Sequence, residues 1–137
     1  MSILDDLIIL PGNRDEVKNN VEGSVVRRAY VDCSENNLDS GDFYKIFAYG
    51  ANTIISDVHV VTETVEEAGD TLDITDDTAG TTTLVSNHDV NTDNAISNYR
   101  TGIFKESAGH LAIKPDADLT VCKFWVTAKF TPLTVND

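Results

Sequence analysis

The histidines are the first side chains that could do chemistry, because imidazole titrates near neutral pH and binds metals. His59, His88 and His110 follow neither an HExxH nor an HxH spacing. His59 lies two residues after Asp57 and four before Glu63, so in a strand these three side chains share one face. The trio could be a metal or acid–base cluster. Since metal sites usually recruit more ligands, we interpret it as the solvated face of an antiparallel strand.

A second candidate is a polar run that resembles the start of a calcium-binding EF-hand loop, with its alternating ligands. The run contains Asn87, Asp89, Asn91 and Asp93. The glycine required at the sixth position is replaced by Thr92, and the twelfth position holds Asn98 instead of glutamate. We therefore interpret the run as a polar turn with Asx hydrogen bonds rather than a calcium site.

Other catalytic patterns are missing from the sequence. It has no GxGxxG, Walker A or GxSxG motif. Glu66-Glu67 and Asp76-Asp77 could suggest glycosidase carboxylates, but such enzymes need a cleft lined with aromatic side chains. The one Trp, four Tyr and five Phe fall mostly at strand positions typical of a core. We predict no enzymatic activity, no cofactor and no obligatory metal.

Two further residue types leave alternatives open. Trp125 lies on the wetter face of the last strand, where it either contacts a partner or is covered by another sheet or loop. Cys33 and Cys122 are far apart in sequence and have no CxxC spacing, so they cannot form a disulfide framework or a zinc site by themselves. We predict buried free thiols, with a bridge between facing strands as the alternative.

Composition limits the class of protein. The 137 residues fit one domain, and 23 acidic against 10 basic residues give a net charge of −13. Such a surface repels phosphate, which makes nucleic acid and anionic membranes poor partners, but it could dock onto a basic patch. The apolar stretch Leu7–Leu10 is too short to span a bilayer. It follows Asp5 and Asp6 rather than basic residues, so we expect no signal peptide.

The elements that must position these residues are strands. Over Leu119 to Thr131, residues of one type recur at every second position, as in a sheet with one wet face. The predicted inward face holds Cys122, Phe124, Val126, Ala128 and Phe130, and the outward face Lys123, Trp125, Thr127 and Lys129. Over Thr53 to Val65, Ile54, Val58 and Val60 are predicted to point inward. Arg27 interrupts an apolar face over Ser24 to Cys33, which predicts a strand end or an edge.

These strands and the turns between them predict an all-β fold, an antiparallel β-sandwich that is jelly-roll-like with an extended N-terminal arm. We assign residues 1–23 to the arm or an added strand, with at most one or two helical turns over Arg14 to Val21, and residues 24–137 to the sandwich. Asp76 to Tyr99 is predicted to be a long loop with a short strand. The predicted core is Phe43, Ile46, Phe47, Val58, Val60, Leu72, Ile74, Phe124, Val126 and Phe130.

From Asp42 onward, the order of segments resembles a loose family of tailed-phage virion proteins. An aromatic strand (DFYKIFAYG) is followed by a strand of alternating valines (TIISDVHVVTETV), then AGDTLDI, a polar loop, ISNYRTGIF and a long last strand (LTVCKFWVTAKFTPL). The resemblance implies a β-sandwich capsid decoration (cement) protein or minor structural protein. It supplies no catalytic residue.

We therefore predict a viral structural protein, made in the host cytoplasm, that binds the outside of a capsid and stabilises it. Its partners would be the major capsid protein and further copies of itself, as a trimer, with no nucleic acid and no membrane. Partner contacts are assigned to Ile3, Leu4, Leu7, Ile8, Ile9, Leu10 and Trp125. A tail or fibre module that binds glycan is the alternative, whereas a cupin-like enzyme would need clustered metal ligands that the scattered histidines do not offer.

Overall fold

The structure is a computed structural model that describes residues 24–67, 70–76 and 82–133. Nine strands lie in these ranges, and all their pairings are antiparallel. They are β1 (Val25–Asp32), β2 (Tyr44–Tyr49), β3 (Thr53–Thr64), β4 (Thr71–Asp76), β5 (Thr82–Asp89), β6 (Ile96–Tyr99), β7 (Ile103–Lys105), β8 (Gly109–Pro115) and β9 (Lys123–Pro132). The arm over residues 1–23, including the helical turns considered there, lies outside the described residues.

The strand pairings are nested, as in a long hairpin that has been rolled up. β4 pairs with β5, β3 with both β6 and β7, β2 with β8, and β1 with β9. The rolled strands form a five-stranded sheet in the order β1-β9-β3-β6, with β7 also on β3, and a four-stranded sheet in the order β2-β8-β4-β5. The predicted jelly-roll-like antiparallel sandwich is confirmed.

The core lies between the two sheets and contains nine of the ten residues predicted for it. Phe43 is the exception: it precedes β2 and is half-buried, with the Lys114 Nζ 5.8 Å from its ring centroid. Tyr44 takes the inward position instead, and its hydroxyl oxygen accepts a hydrogen bond from the Asp39 N–H at 2.6 Å. The prediction for Phe43 is wrong because the register of β2 with β8 shifts between Lys45 and Phe47, so Tyr44 before the shift and Phe47 after it both point inward.

A β-bulge in β3 explains a second error. The pairing register of β3 with β9 shifts between Ser56 and His59, and Asp57 has a positive φ of 51°. The inserted residue reverses the alternation, so Ile55 before the bulge and Val58 after it both point into the core. Ile54, predicted to point inward, lies on the outer face.

The range from Asp76 to Tyr99 was predicted to be a long loop with one short strand, but it contains two strands, β5 and β6, so the loop prediction is wrong and the strand content was underestimated. The register between β4 and β5 shifts twice, which brings Leu84 and Val85, neighbours in sequence, both into buried positions. Farther along β5 the inward position is taken by His88 rather than an apolar side chain. Period-two alternation of apolar residues is therefore hidden in this part of the sequence.

Arg27 lies near a strand end and on an edge strand, as predicted from its position in an otherwise apolar face. It is near the start of β1, which is an edge strand of the five-stranded sheet. Its guanidinium donates a hydrogen bond to the Ala48 carbonyl at 2.6 Å and lies 5.3 Å from the Phe130 ring centroid. The cation thus bridges the edges of the two sheets instead of entering the core.

Candidate functional site

An apolar row crosses the outer face of the five-stranded sheet. Tyr30 on β1 lies opposite Trp125 on β9, Trp125 lies opposite Val61 on β3, and Val61 lies opposite Ile96 on β6. We name these four residues the outer row. Tyr30, Trp125 and Val61 each lie between two buried strand neighbours and so point away from the core, and Ile96 is 60% exposed. Register alone brings together side chains from four strands that are distant in sequence.

The aromatic pair in the outer row is held in place by polar contacts. The Tyr30 and Trp125 ring centroids are 4.7 Å apart at an interplanar angle of 47°, and the Arg28 guanidinium lies 6.0 Å from the Trp125 centroid. The Tyr30 hydroxyl donates a hydrogen bond to the Glu63 carboxylate at 2.5 Å. Burial and this hydrogen bond to an anion raise the pKa of Tyr30. The pair therefore presents a preorganised surface, half-buried by its own neighbours.

The rest of this face combines apolar and charged side chains. Val26 and Phe104, exposed by 45% and 48%, lie on it in addition to Ile96. Lys123 forms a long ion pair with Asp32, with 3.9 Å between Nζ and Oδ2. Exposed apolar area rimmed by charges is typical of a protein–protein contact surface.

The candidate metal trio does not converge. Asp57 lies in the bulge, the His59 Nδ1 is hydrogen-bonded to the Asn98 side chain, and Glu63 accepts from Tyr30. Within 24–67, 70–76 and 82–133, no group of three or more His, Cys, Asp or Glu side chains is placed to hold a metal ion. The same part of the chain contains no helix that could cross a membrane.

The polar run from Asn87 to Asp93 begins as the end of β5, and the predicted Asx hydrogen bonds form at Asp89, where the strand ends in a turn. The Asp89 carboxylate accepts from the Asn91 N–H and the Thr92 hydroxyl, both at 2.7 Å. The Asn91 amide donates to the Glu66 carbonyl at 2.8 Å, and the Asn87 N–H donates to Asp73 at 2.8 Å. These contacts tie the turn to β4 and to the segment after β3.

Glu66, considered in the sequence as half of an acidic pair, is a structural anchor. Its carboxylate is bound by three consecutive backbone N–H groups, those of Thr120 at 3.2 Å, Val121 at 3.0 Å and Cys122 at 2.9 Å. Burial opposes ionisation of Glu66, but the three donors outweigh it and hold the pKa below its usual value. The side chain joins the β3–β4 connection to the segment that leads into β9.

His88 forms a polar bridge between the two sheets. It is fully buried on β5, with Nε2 2.7 Å from the Thr62 hydroxyl and Nδ1 2.8 Å from the Ser97 hydroxyl. The Thr62 hydroxyl donates to the Asp89 carbonyl at 2.9 Å, so it accepts from the His88 Nε2–H. In the neutral ring, Nδ1 then accepts from the Ser97 hydroxyl. Burial lowers the pKa of His88 to about 4.

A second polar bridge lies at the other end of the sandwich. The buried Asp76 carboxylate on β4 forms an ion pair with Lys105 on β7 of the other sheet, and it also accepts from the Thr82 N–H at 2.7 Å. A buried ion pair with this additional hydrogen bond orients the sheets relative to each other. Neither bridge has a signal in the sequence, because the partners are far apart along the chain.

The two cysteines are buried free thiols, as predicted. They face each other across neighbouring strands, with 3.7 Å between the sulfur atoms.

The same fold is found in solved structures of virus particles. A chain in the acidic stable capsid structure of Helicobacter pylori bacteriophage KHP30 has a TM-score of 0.57 at 13% identity, over 82% of this chain and 90% of that one. A chain in the capsid of Ralstonia phage GP4 has a TM-score of 0.57 at 11% identity, over 88% of this chain and 92% of that one. A chain of infectious bursal disease virus, Gx strain, has a TM-score of 0.50 at 12% identity, and the match covers 82% of this chain but 34% of that one.

No protein-family model matches the chain, and no curated protein matches it by sequence. The fold therefore defines the class: a jelly-roll-like β-sandwich of the kind present in phage capsid structures. The resemblance to phage virion proteins inferred from the order of segments is confirmed at the level of the fold.

Proposed function

We propose that this protein is a structural component of a phage virion that binds the outside of the capsid and stabilises it. The fold supports this role, because chains matched over 90% and 92% of their length occur in two phage capsid structures. The observation that carries the proposal is the outer row, an apolar stripe across an exposed sheet face. A protein that acts by binding other proteins needs such a surface.

The outer row has the composition of an interface centre. Trp, Tyr and Arg are the residues that most often dominate binding energy, and here Trp125, Tyr30 and Arg28 lie against one another. Ordering them costs little on binding, because their own contacts already fix their positions. We assign Trp125 as the central contact with the capsid.

The N-terminal arm is the second proposed contact. Its apolar residues would form contact area that salt does not screen, while the net charge of −13 would steer the protein toward a basic shell. These residues are Ile3, Leu4, Leu7, Ile8, Ile9 and Leu10. Residues 1–23 precede β1, the edge strand of the sheet with the outer row, so the arm is connected to that sheet. We propose that arms of a homotrimer contact neighbouring copies and the major capsid protein.

Binding to undecorated particles tests the proposal. Trp125→Ala should weaken binding about thirtyfold, the effect of losing roughly 2 kcal/mol at a hot spot. Thr127→Ala is the matched control, since Thr127 is the next outward residue on the same strand and lacks the aromatic contact. Thermal unfolding of both variants checks that the sandwich is intact. If wild-type protein does not associate with particles, capsid decoration is excluded.

Deletion of Met1 to Leu10 tests the arm separately. We expect loss of trimers in sedimentation and weaker particle binding. Unchanged oligomeric state and unchanged binding would exclude the arm as an anchor.

A glycan-binding tail or fibre module is the second candidate. The Tyr30–Trp125 pair favours it, because a half-buried aromatic pair on an outer face can pack against a sugar ring. A glycan array probed with wild type and with Trp125→Ala separates the two functions: binding that depends on Trp125, without association with particles, would assign the glycan role.

A further inference from the structure

Cys33 and Cys122 lie directly opposite each other just beyond the end of β1 and the start of β9. They continue the register in which Asp32 pairs with Lys123, and the Cys33 N–H donates to the Cys122 carbonyl at 2.9 Å. Both residues are fully buried, and their sulfur atoms are 3.7 Å apart. Two thiols are thus enclosed together.

This arrangement is close to that of a disulfide. Directly opposite residues of an antiparallel pair have Cα atoms about 4.5–5.5 Å apart, within the range that disulfides span. The sulfur atoms need to approach by about 1.7 Å to reach bonding distance, a movement that side-chain rotation can supply. We propose that Cys33 and Cys122 are an oxidation site that forms an intramolecular disulfide and locks β1 to β9.

The position gives the bond a mechanical role. Among the described strands, β1 pairs with β9 alone, so its separation from β9 breaks no other strand pairing. The Cys122 N–H is already bound by the Glu66 carboxylate at 2.9 Å. A bond to Cys33 would therefore connect β1, the start of β9 and the β3–β4 connection at one point.

The chemistry balances with a small-molecule disulfide as oxidant. One cysteine thiolate attacks oxidised glutathione, forms a mixed disulfide and releases one glutathione thiolate. The second cysteine thiolate attacks the protein sulfur of that mixed disulfide, forms the Cys33–Cys122 bond and releases the second glutathione. The protein loses two electrons and two protons, and one oxidised glutathione becomes two reduced molecules.

The rate of this reaction depends on opening of the β1 edge. The hydrogen bond to Cys33 and burial both raise the pKa of the Cys122 thiol, which keeps it protonated and unreactive while the strand is closed. The thiols therefore remain reduced in a reducing cytoplasm and oxidise slowly in an oxidising medium. This inference is independent of the proposed function, since it depends only on the pair and its strands.

Refolding of the full chain in glutathione redox buffers tests the site at equilibrium. In excess oxidised glutathione, wild type should have no alkylatable thiol and a mass lower by two hydrogen atoms. Its folding equilibrium constant should rise on the order of a hundredfold or more, since the bond closes a loop of 89 positions. Addition of dithiothreitol should restore the two thiols and the original mass, and it should remove the gain in stability.

Cys33→Ala and Cys122→Ala are the controls, and each should retain one thiol or one glutathione adduct with no rise in stability. Two free thiols or glutathione adducts in wild type at equilibrium would overturn the proposal. So would an oxidised form less stable than the reduced one.

Discussion

The His88 Nε2 donates a hydrogen bond to the Thr62 hydroxyl at 2.7 Å, and through this bond a neutral imidazole joins the two sheets. His88 belongs to the four-stranded sheet and Thr62 to the five-stranded one. The bridge fills a core position with a titratable group, which makes the stability of the sandwich sensitive to pH.

Acid should destabilise the protein in the window from about pH 6.5 to 4. The folded pKa of His88 is lowered to about 4, whereas the unfolded chain titrates near 6.5. Between these values the unfolded state binds the extra proton, so the free energy of unfolding falls as pH falls and is restored as pH rises. The loss should approach about 3 kcal/mol at the lower end. Urea unfolding of wild type and His88→Gln across this window measures it, and equal slopes for the two proteins would contradict the assignment.

Phe124→Ala should cost about 3–5 kcal/mol of unfolding free energy, because Phe124 is fully buried between the sheets and its loss leaves a cavity. Chemical denaturation gives this value. Thr127→Ala, an outward position on the same strand, should stay within about 0.5 kcal/mol of wild type. A cost below about 1 kcal/mol for Phe124→Ala would mean that β9 has the opposite register.

Glu66→Gln should cost about 1.5–3 kcal/mol, the range for hydrogen bonds to a charged group. The amide keeps one acceptor oxygen but removes the charge that three backbone donors surround. Because the folded pKa is lowered, the contribution of Glu66 is present above its unfolded pKa and is lost as pH falls through the folded one. Glu67→Gln, at the exposed neighbouring position, is the control for denaturation at pH 7 and should have little effect.

Lys105→Met should destabilise the protein by about 3–5 kcal/mol, since it leaves the Asp76 carboxylate buried without its cation. The double variant Lys105→Met with Asp76→Asn should recover most of this loss. It removes the uncompensated charge, while the new side-chain amide still offers an oxygen to the Thr82 N–H. Thermal unfolding of wild type, both single variants and the double variant forms the cycle. An additive result would show that the two side chains do not interact.

The sequence by itself determined the fold class and the last strand. β9 alternates without a bulge against β1, so each predicted inward residue from Phe124 to Phe130 is buried. Arg27 was placed correctly because a cation cannot occupy a core position unpaired, which restricts it to an edge. These inferences depend only on local periodicity and on the cost of burying charge.

The tertiary structure decided everything that depends on register between distant strands. The bulge at Asp57 places Ile55 inward and Ile54 outward, and it is defined by the pairing register of β3 with β9, which periodicity along β3 does not reveal. β5 was predicted only as a short strand within a loop, because His88, which is satisfied by hydroxyls of the opposite sheet, replaces an apolar residue at an inward position.

The outer row and the cysteine pair share this origin. In the sequence, Tyr30, Val61 and Ile96 are outward residues of separate strands. The pairing register places them in one row with Trp125. Cys33 and Cys122 meet only because β1 and β9 pair across almost the whole chain. A side chain's own strand fixes which face it takes, but its neighbours on that face come from long-range pairing, and local sequence does not encode that pairing.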